Sequence, residues 1–296
     1  MKILIIGGTR FIGPKVVRRL AAAGHSLAVL HRGQHRSSLP DGVVSFQSPL
    51  AAMPVTDFPP ESVRFGPEVV VHMIAMGARD SSAARNTFEK VSRRIVMLSS
   101  GDVYRAYGCF RGIEPGSLEP IPLRESSPLR SVLHPYRTAE TPQDALEYYY
   151  DKILAEREIA ASTDMPATIL RLPKVYGPGD NADLATVYGF RNHPVWRWTH
   201  GHVENVAAAI ALAIMDERAT GQIYNVGEEE TLTVAERLAY LPPRPNAEIL
   251  GHPANFKQDI AYDTSRIRDE LGFAEVLSER EGSIQVVSDY LSGATG

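Results

Sequence analysis

The opening of this chain constrains its fold most. A short apolar run, Ile3-Leu4-Ile5-Ile6, passes directly into Gly7-Gly8-Thr9-Arg10-Phe11-Ile12-Gly13, and an amphipathic stretch closed by Gly24 follows. Glycines between a buried strand and a helix let the backbone turn tightly and approach a ligand, while the helix N-terminus offers amide donors and the positive end of a dipole. In this strand–turn–helix setting the turn predicts dinucleotide binding through Gly7, Thr9, Arg10, Phe11, Ile12 and Gly13; a purely structural turn is the competing reading. The apolar run is too short for a signal-peptide core.

Short apolar strands then alternate with helix-length segments. Strands are expected at residues 2–6, 26–31, 43–46, 68–74, 93–98 and 167–172, and helices at 11–23, 143–162 and 203–215. Nearly continuous β-branched runs suit strands buried on both faces, so the pattern predicts an α/β fold: a Rossmann-type doubly wound parallel sheet with a small C-terminal substrate lobe. Residues 1–177, with the catalytic helix and the returning stretch 202–227, form the expected dinucleotide-binding domain. Residues 178–201 and 228–296 form the expected lobe. Six prolines between residues 111 and 142 interrupt the pattern, as in a binding loop or lid.

Composition narrows the function. With 31 Lys+Arg against 35 Asp+Glu, the net charge of −4 leaves no basic excess for a nucleic-acid backbone. The single cysteine, Cys109, excludes an intrachain disulfide and a multi-thiolate metal site, and no metal is expected. The longest apolar runs fall short of a membrane span. A cytoplasmic enzyme acting on a small molecule, with no membrane or nucleic-acid partner, is the expectation.

Strand two ends in His31-Arg32 where an acidic residue would accept bonds from an adenosine ribose hydroxyl. Arg32, with Arg36 and Arg10, suits a 2′-phosphate, so NADP is favoured over NAD; solvated loop charges are the alternative. Tyr148 and Lys152 stand four apart on the expected helix 143–162, which places them on one face. An ammonium beside a phenol stabilises the phenolate, so such a pair can remove a hydroxyl proton while hydride leaves the same carbon. Aromatic packing of Tyr148-Tyr149-Tyr150 and pairing of Lys152 with Glu156 are the bland alternatives. Ser99-Ser100-Gly101-Asp102-Val103-Tyr104 follows a strand at the carboxyl end of the sheet, where ligands of open α/β folds bind.

These segments, with His72-Met73-Ile74-Ala75, Arg171 to Pro178, His202 to Ala207, Tyr224 to Gly227 and Asp263 to Phe273, resemble an extended short-chain dehydrogenase/reductase of the NAD-dependent epimerase/dehydratase family over nearly the whole chain. The resemblance implies Ser100 as the catalytic hydroxyl, Tyr148 as acid/base, and Lys152 as both tuner of the phenol and ligand of the nicotinamide ribose. It implies that Leu172, Pro173 and Val175 pass the nicotinamide and Ala75 the adjacent ribose. Asp102, Tyr104 and Arg197 are substrate candidates. Arg197, between Trp196 and Trp198, would clamp a diphosphate or stack on a ring, unless the tryptophans are lobe core.

A sugar or nucleotide-sugar alcohol or ketone is the implied substrate, and a homodimer a family expectation. Gly101-Asp102 stands where sugar 4,6-dehydratases carry an Asp-Glu pair, which disfavours that dehydration. The alternatives are an NADPH-dependent reductase of a small carbonyl compound, which the short interval between Pro178 and His202 would suit, and a non-catalytic dinucleotide-binding sensor or RNA-binding relative.

Overall fold

A computed structural model describes residues 1–34, 39–50, 52–250 and 254–293; Arg36 lies outside them. Its strands are β1 (Lys2–Ile6), β2 (Ser26–His31), β3 (Val44–Gln47), β4 (Val69–His72), β5 (Arg94–Ser100), β6 (Ala167–Leu172), β7 (Lys174–Tyr176), β8 (His200–His202) and β9 (Ile223–Asn225). Seven form one sheet in the order β3-β2-β1-β4-β5-β6-β9. The β1–β2, β1–β4, β2–β3 and β4–β5 ladders are parallel, with Ile6 opposite both Leu30 and His72. The expected Rossmann-type sheet is formed, and its central strands are buried along almost their whole length.

The helices are α1 (Ile12–Ala22), α2 (Pro60–Arg64), α3 (Ala78–Phe88), α4 (Arg105–Arg111), α5 (Leu146–Tyr149), α6 (Lys152–Ala160), α7 (Ala185–Gly189), α8 (Val203–Met215), α9 (Val234–Tyr240), α10 (Ser265–Leu271) and α11 (Glu279–Leu291). Among the described residues no helix is long and apolar enough to cross a membrane.

The chain divides into two compact units. The first takes residues 1–103, 133–171 and 207–224, and holds most of the sheet. Its core joins Leu4, Ile6, Leu30, Val70 and Met97 to Ala84 and Phe88 of α3 and Ala155 and Ile159 of α6.

The second unit takes residues 104–132, 172–206 and 225–296. Residues 104–132, expected with the first domain, belong here because their polar groups are satisfied here. The Tyr104 hydroxyl donates to Asn225, Asn225 Nδ2 donates to the Leu123 carbonyl, and the Leu123 amide donates to Ala261 at 2.7 Å. The core of this unit is an aromatic stack: Trp196 lies 4.8 Å from Phe110 and 4.6 Å from Trp198, with Phe190 and Phe256 edge-on to Trp196. Both tryptophans are buried, so the core reading of that pair holds.

Candidate active site

The glycine turn has the close geometry its sequence implies. Gly7 has a φ of +96°, and a Cβ there would stand 2.7 Å from Ile74. A Cβ on Gly13 would fall 2.5 Å from the Gly8 backbone, so α1 approaches the turn this closely only because Gly13 lacks a side chain. Phe11, at the helix entrance, adopts a φ of +47°, a conformation a bulky side chain normally avoids. Thr9, Arg10, His31, Arg32, Gly33, Gln34 and Ile74 join Gly7 around a cavity of about 80 Å³. His31 is locked: Nδ1 accepts the Gly33 amide at 2.9 Å and Nε2 lies 2.7 Å from Ser45 Oγ.

At the carboxyl ends of β4 and β5 a second set of groups converges. Lys152, the first residue of α6, is buried, and Nζ donates to the carbonyls of Ala75 and Leu98. Burial pulls this ammonium below its ordinary range, opposed by the negative charges of Asp102, Asp80 and Glu156. Ser100 ends β5, and its hydroxyl accepts the Asp102 amide at 3.2 Å. Glu156 does not pair with Lys152; it binds Arg171 at 2.8 Å and accepts from the Ser99 hydroxyl. Asp80 accepts the amides of Met76, Gly77 and Ser81, 4.0 Å from His72, whose burial carries it down to about 4.

The expected continuous helix 143–162 is not formed. It is split between α5 and α6, with Tyr150 extended at ψ 119° and Asp151 capping α6 by accepting the Leu154 amide at 3.0 Å. The reason is local. Aspartate at the residue before a helix is a strong start signal, and the Asp151 amide donates to Met76 at 2.9 Å rather than continuing the turn. Gly77 makes room for this docking: a Cβ there would lie 2.4 Å from the Tyr149 carbonyl.

The break separates the tyrosines. Tyr148 turns its ring under the Arg137 guanidinium, 4.0 Å away, and gives its carbonyl to the same arginine. It therefore does not stand one helical turn from Lys152, as the spacing predicts. Tyr150 lies on the lysine side: Nζ is 5.8 Å from its ring centre, and its hydroxyl donates to Asp102 Oδ2 at 2.8 Å. Tyr136 donates to the same oxygen at 3.1 Å and meets Tyr150 edge to face.

Two substrate candidates are placed elsewhere by the structure. Tyr104 is fully buried with its hydroxyl on Asn225, so it offers nothing to a ligand. Arg197 stands 3.8 Å from Asp259 and lines an open groove of about 620 Å³ with Arg268 and five carboxylates, Glu229, Glu230, Glu236, Asp263 and Asp269, an acidic excess that disfavours a diphosphate. Asp102 is buried and engaged with phenols. Leu172, Pro173 and Val175 lie in the second unit, where Val175 pairs with Gly201 and a Cβ on Gly201 would meet Pro173 at 2.9 Å. Sequence reading passed over Tyr136, Arg137 and Tyr150. Asp151, an N-cap residue two positions after Tyr149, was the signal that the helix restarts there. Among the described residues no cluster suited to a metal ion exists.

The model of the NAD-dependent epimerase/dehydratase family matches residues 3–227. No curated protein sequence matches the chain. Among solved structures, the chain resembles UDP-glucose 4-epimerase of Thermus thermophilus in complex with NAD, at 20% identity and a TM-score of 0.69, covering 98% of this chain and 99% of that one. It resembles UDP-glucose 4-epimerase of Thermotoga maritima with UDP-glucose at 17% identity and 0.67, covering 99% and 100%. A short-chain dehydrogenase/reductase superfamily protein of Agrobacterium tumefaciens with bound NAD gives 17% and 0.67, covering 99% and 98%. At such identities these likenesses speak for the fold alone. The family match, which spans most of the chain, makes it an enzyme belonging to the NAD-dependent epimerase/dehydratase family.

Proposed function

We propose that the enzyme oxidises a secondary alcohol, or reduces the matching ketone, on the sugar of a nucleotide-sugar, as an epimerase would. The observation that carries this reading is the buried Lys152 ammonium, held by the Ala75 and Leu98 carbonyls at the carboxyl-end side of β4 and β5. The solved relative with bound UDP-glucose supports the substrate class.

The glycine turn fits a dinucleotide, because the space that side chains at Gly7 and Gly13 would fill is kept clear. Thr9, Arg10 and the amides opening α1 would hold the pyrophosphate. Arg32 and Arg10, on the cavity where β2 ends without an acidic residue, favour NADP, although relatives hold NAD. Bound there, the nicotinamide accepts or returns hydride. The chain's own residues do the rest. Ser100 orients the substrate oxygen, Lys152 fixes a positive charge that favours a phenolate and binds the ribose, and a tyrosine moves the hydroxyl proton.

The test is a fluorescence titration with NADPH and NADH, followed by incubation with UDP-glucose and UDP-galactose and mass spectrometry of the protein. Tighter NADPH binding and interconversion of the sugars are expected, with the cofactor retained. Consumption of cofactor without interconversion would mean a net reductase instead, and absence of binding to either cofactor would defeat the reading.

A further inference from the structure

Asp102 and the two phenols on it have no part in the spacing argument, yet they form a polar cluster whose charge acts on Lys152. Two tyrosine hydroxyls from separate segments, Tyr136 and Tyr150, donate to one oxygen of a carboxylate that is only 4% exposed. The Asp102 backbone amide in turn donates to Ser100 Oγ, so the residue that holds the two phenols is also tied to the serine. Charge-assisted bonds of this kind are about twice as strong as neutral ones. Tyr150 is not sealed in: with Tyr136, Leu146 and Glu147 it lines an open cavity of about 220 Å³. Tyr148, by contrast, is held by Arg137 through both ring and carbonyl.

We propose that Tyr150, with Asp102 behind it, takes the substrate proton, and that Tyr148 anchors the segment through Arg137; this rests on the oxidoreductive reading above. The step balances as a relay. The alcohol O–H bond breaks and its electron pair becomes the second bond of the carbonyl, while the C–H bond leaves as hydride to oxidised nicotinamide. Tyr150 Oη takes the substrate proton as its own proton passes to Asp102 Oδ2. The carboxylate becomes a carboxylic acid still bound by Tyr136, and the reverse transfer restores both groups when the ketone is reduced. Lys152, flanked also by Asp80 and Glu156, supplies the fixed positive charge beside the relay. In this scheme Tyr150 touches the reacting oxygen, and Asp102 is a positioning residue and proton store.

Four variants of the full chain test it: Tyr150→Phe, Asp102→Asn, Asp102→Glu and Tyr148→Phe. They are assayed with UDP-glucose and UDP-galactose and either cofactor, together with melting temperature and cofactor affinity. Asp102→Asn keeps an oxygen that accepts both phenols but cannot store a proton. Tyr150→Phe and Asp102→Asn are expected to lower kcat by roughly 10²–10⁴ with KM and cofactor affinity near wild type, and Asp102→Asn, which turns two charge-assisted bonds into neutral ones, to lower Tm as well. Asp102→Glu should restore part of the rate, and Tyr148→Phe should cost less than about tenfold.

Wild-type kcat in Tyr150→Phe, or loss only in Tyr148→Phe, would overturn the proposal while leaving the oxidoreductive reading intact. Wild-type kcat in all four and also in Lys152→Met would defeat both. If neither sugar is turned over, the tyrosinate absorbance titration decides. A curve for Asp102→Asn displaced to lower pH, with the displacement absent when Tyr150→Phe is added, supports the relay; superimposable curves overturn it.

Discussion

Two of the cations this protein buries, Lys152 in the first unit and Arg237 in the second, are treated differently. In the second unit Arg237 is fully buried and surrounded: it forks onto Glu279, donates to the Leu232 and Trp198 carbonyls, and lies 4.4 Å over the Trp198 ring. Glu279 in turn stands 3.2 Å from His200. Burial alone would push Glu279 up, but His200 and Arg237 hold it down at about 2. In the first unit Lys152 has two backbone carbonyls as its hydrogen-bond acceptors, and carboxylates act on it only at longer range. A charge closed off by its counter-ion fixes structure, whereas one held by neutral groups keeps its field for a reacting partner.

Replacing each cation breaks the comparison most strongly. Arg237→Met leaves Glu279 buried without its partner and should cost about 3–5 kcal/mol of stability, read as a large fall in Tm. Lys152→Met gives up bonds to two neutral carbonyls and no direct counter-ion, so it should lower Tm less than Arg237→Met does, while turnover falls by roughly 10²–10⁴. Equal melting losses in both variants would erase the distinction.

A smaller effect separates the units by pH. Burial holds His72 in the first unit and His200 in the second down at about 4. A base whose folded value is depressed contributes stability present above its ordinary value of 6.5 and lost as pH falls through about 4, so both units weaken together in acid. Glu228 works in the other direction and only in the second unit: burial pushes it up to about 8, against the His202 amide bound to it. Its contribution is complete below 4.5 and is lost as pH rises through about 8. Glu228→Gln should therefore melt a few degrees above wild type at alkaline pH and show little difference in weak acid. A difference that did not depend on pH would rule out this assignment.

The smallest expected effect lies at the glycine turn, where Arg32 borders the cavity at the end of β2. Arg32→Ala should weaken NADPH binding about tenfold, a loss of ~1.4 kcal/mol, and leave NADH binding unchanged. Equal loss for both cofactors in a fluorescence titration would assign Arg32 to the pyrophosphate instead.

Much of this was legible in the sequence, and the rest was hidden for identifiable reasons. The sheet was plain because buried parallel strands read as continuous β-branched runs, Val69-Val70-Val71 above all. The glycine turn was plain because only glycine permits the contacts at Gly7 and Gly13. The partition of Tyr104 to Val132 was hidden because it depends on Asn225 and Ala261, more than a hundred residues away.

The break at Tyr150 was hidden for a different reason. Helical spacing assumes a continuous ladder, and here the Asp151 amide found a better partner in Met76. Arg197 misled because flanking tryptophans read as a stacking site, whereas Asp259 and the groove carboxylates, Glu229, Glu230, Glu236, Asp263 and Asp269, lie more than thirty residues away in sequence and meet the guanidinium only in the folded chain.

The most direct test of the central claim is a single-turnover absorbance measurement on the enzyme carrying NAD⁺ or NADP⁺, mixed with UDP-glucose or UDP-galactose. Reduced nicotinamide should appear transiently with the wild type and fail to appear with Lys152→Met. An enzyme that holds the cofactor yet shows no reduction, or a Lys152→Met variant that reduces it at the wild-type rate, would contradict hydride transfer governed by this lysine.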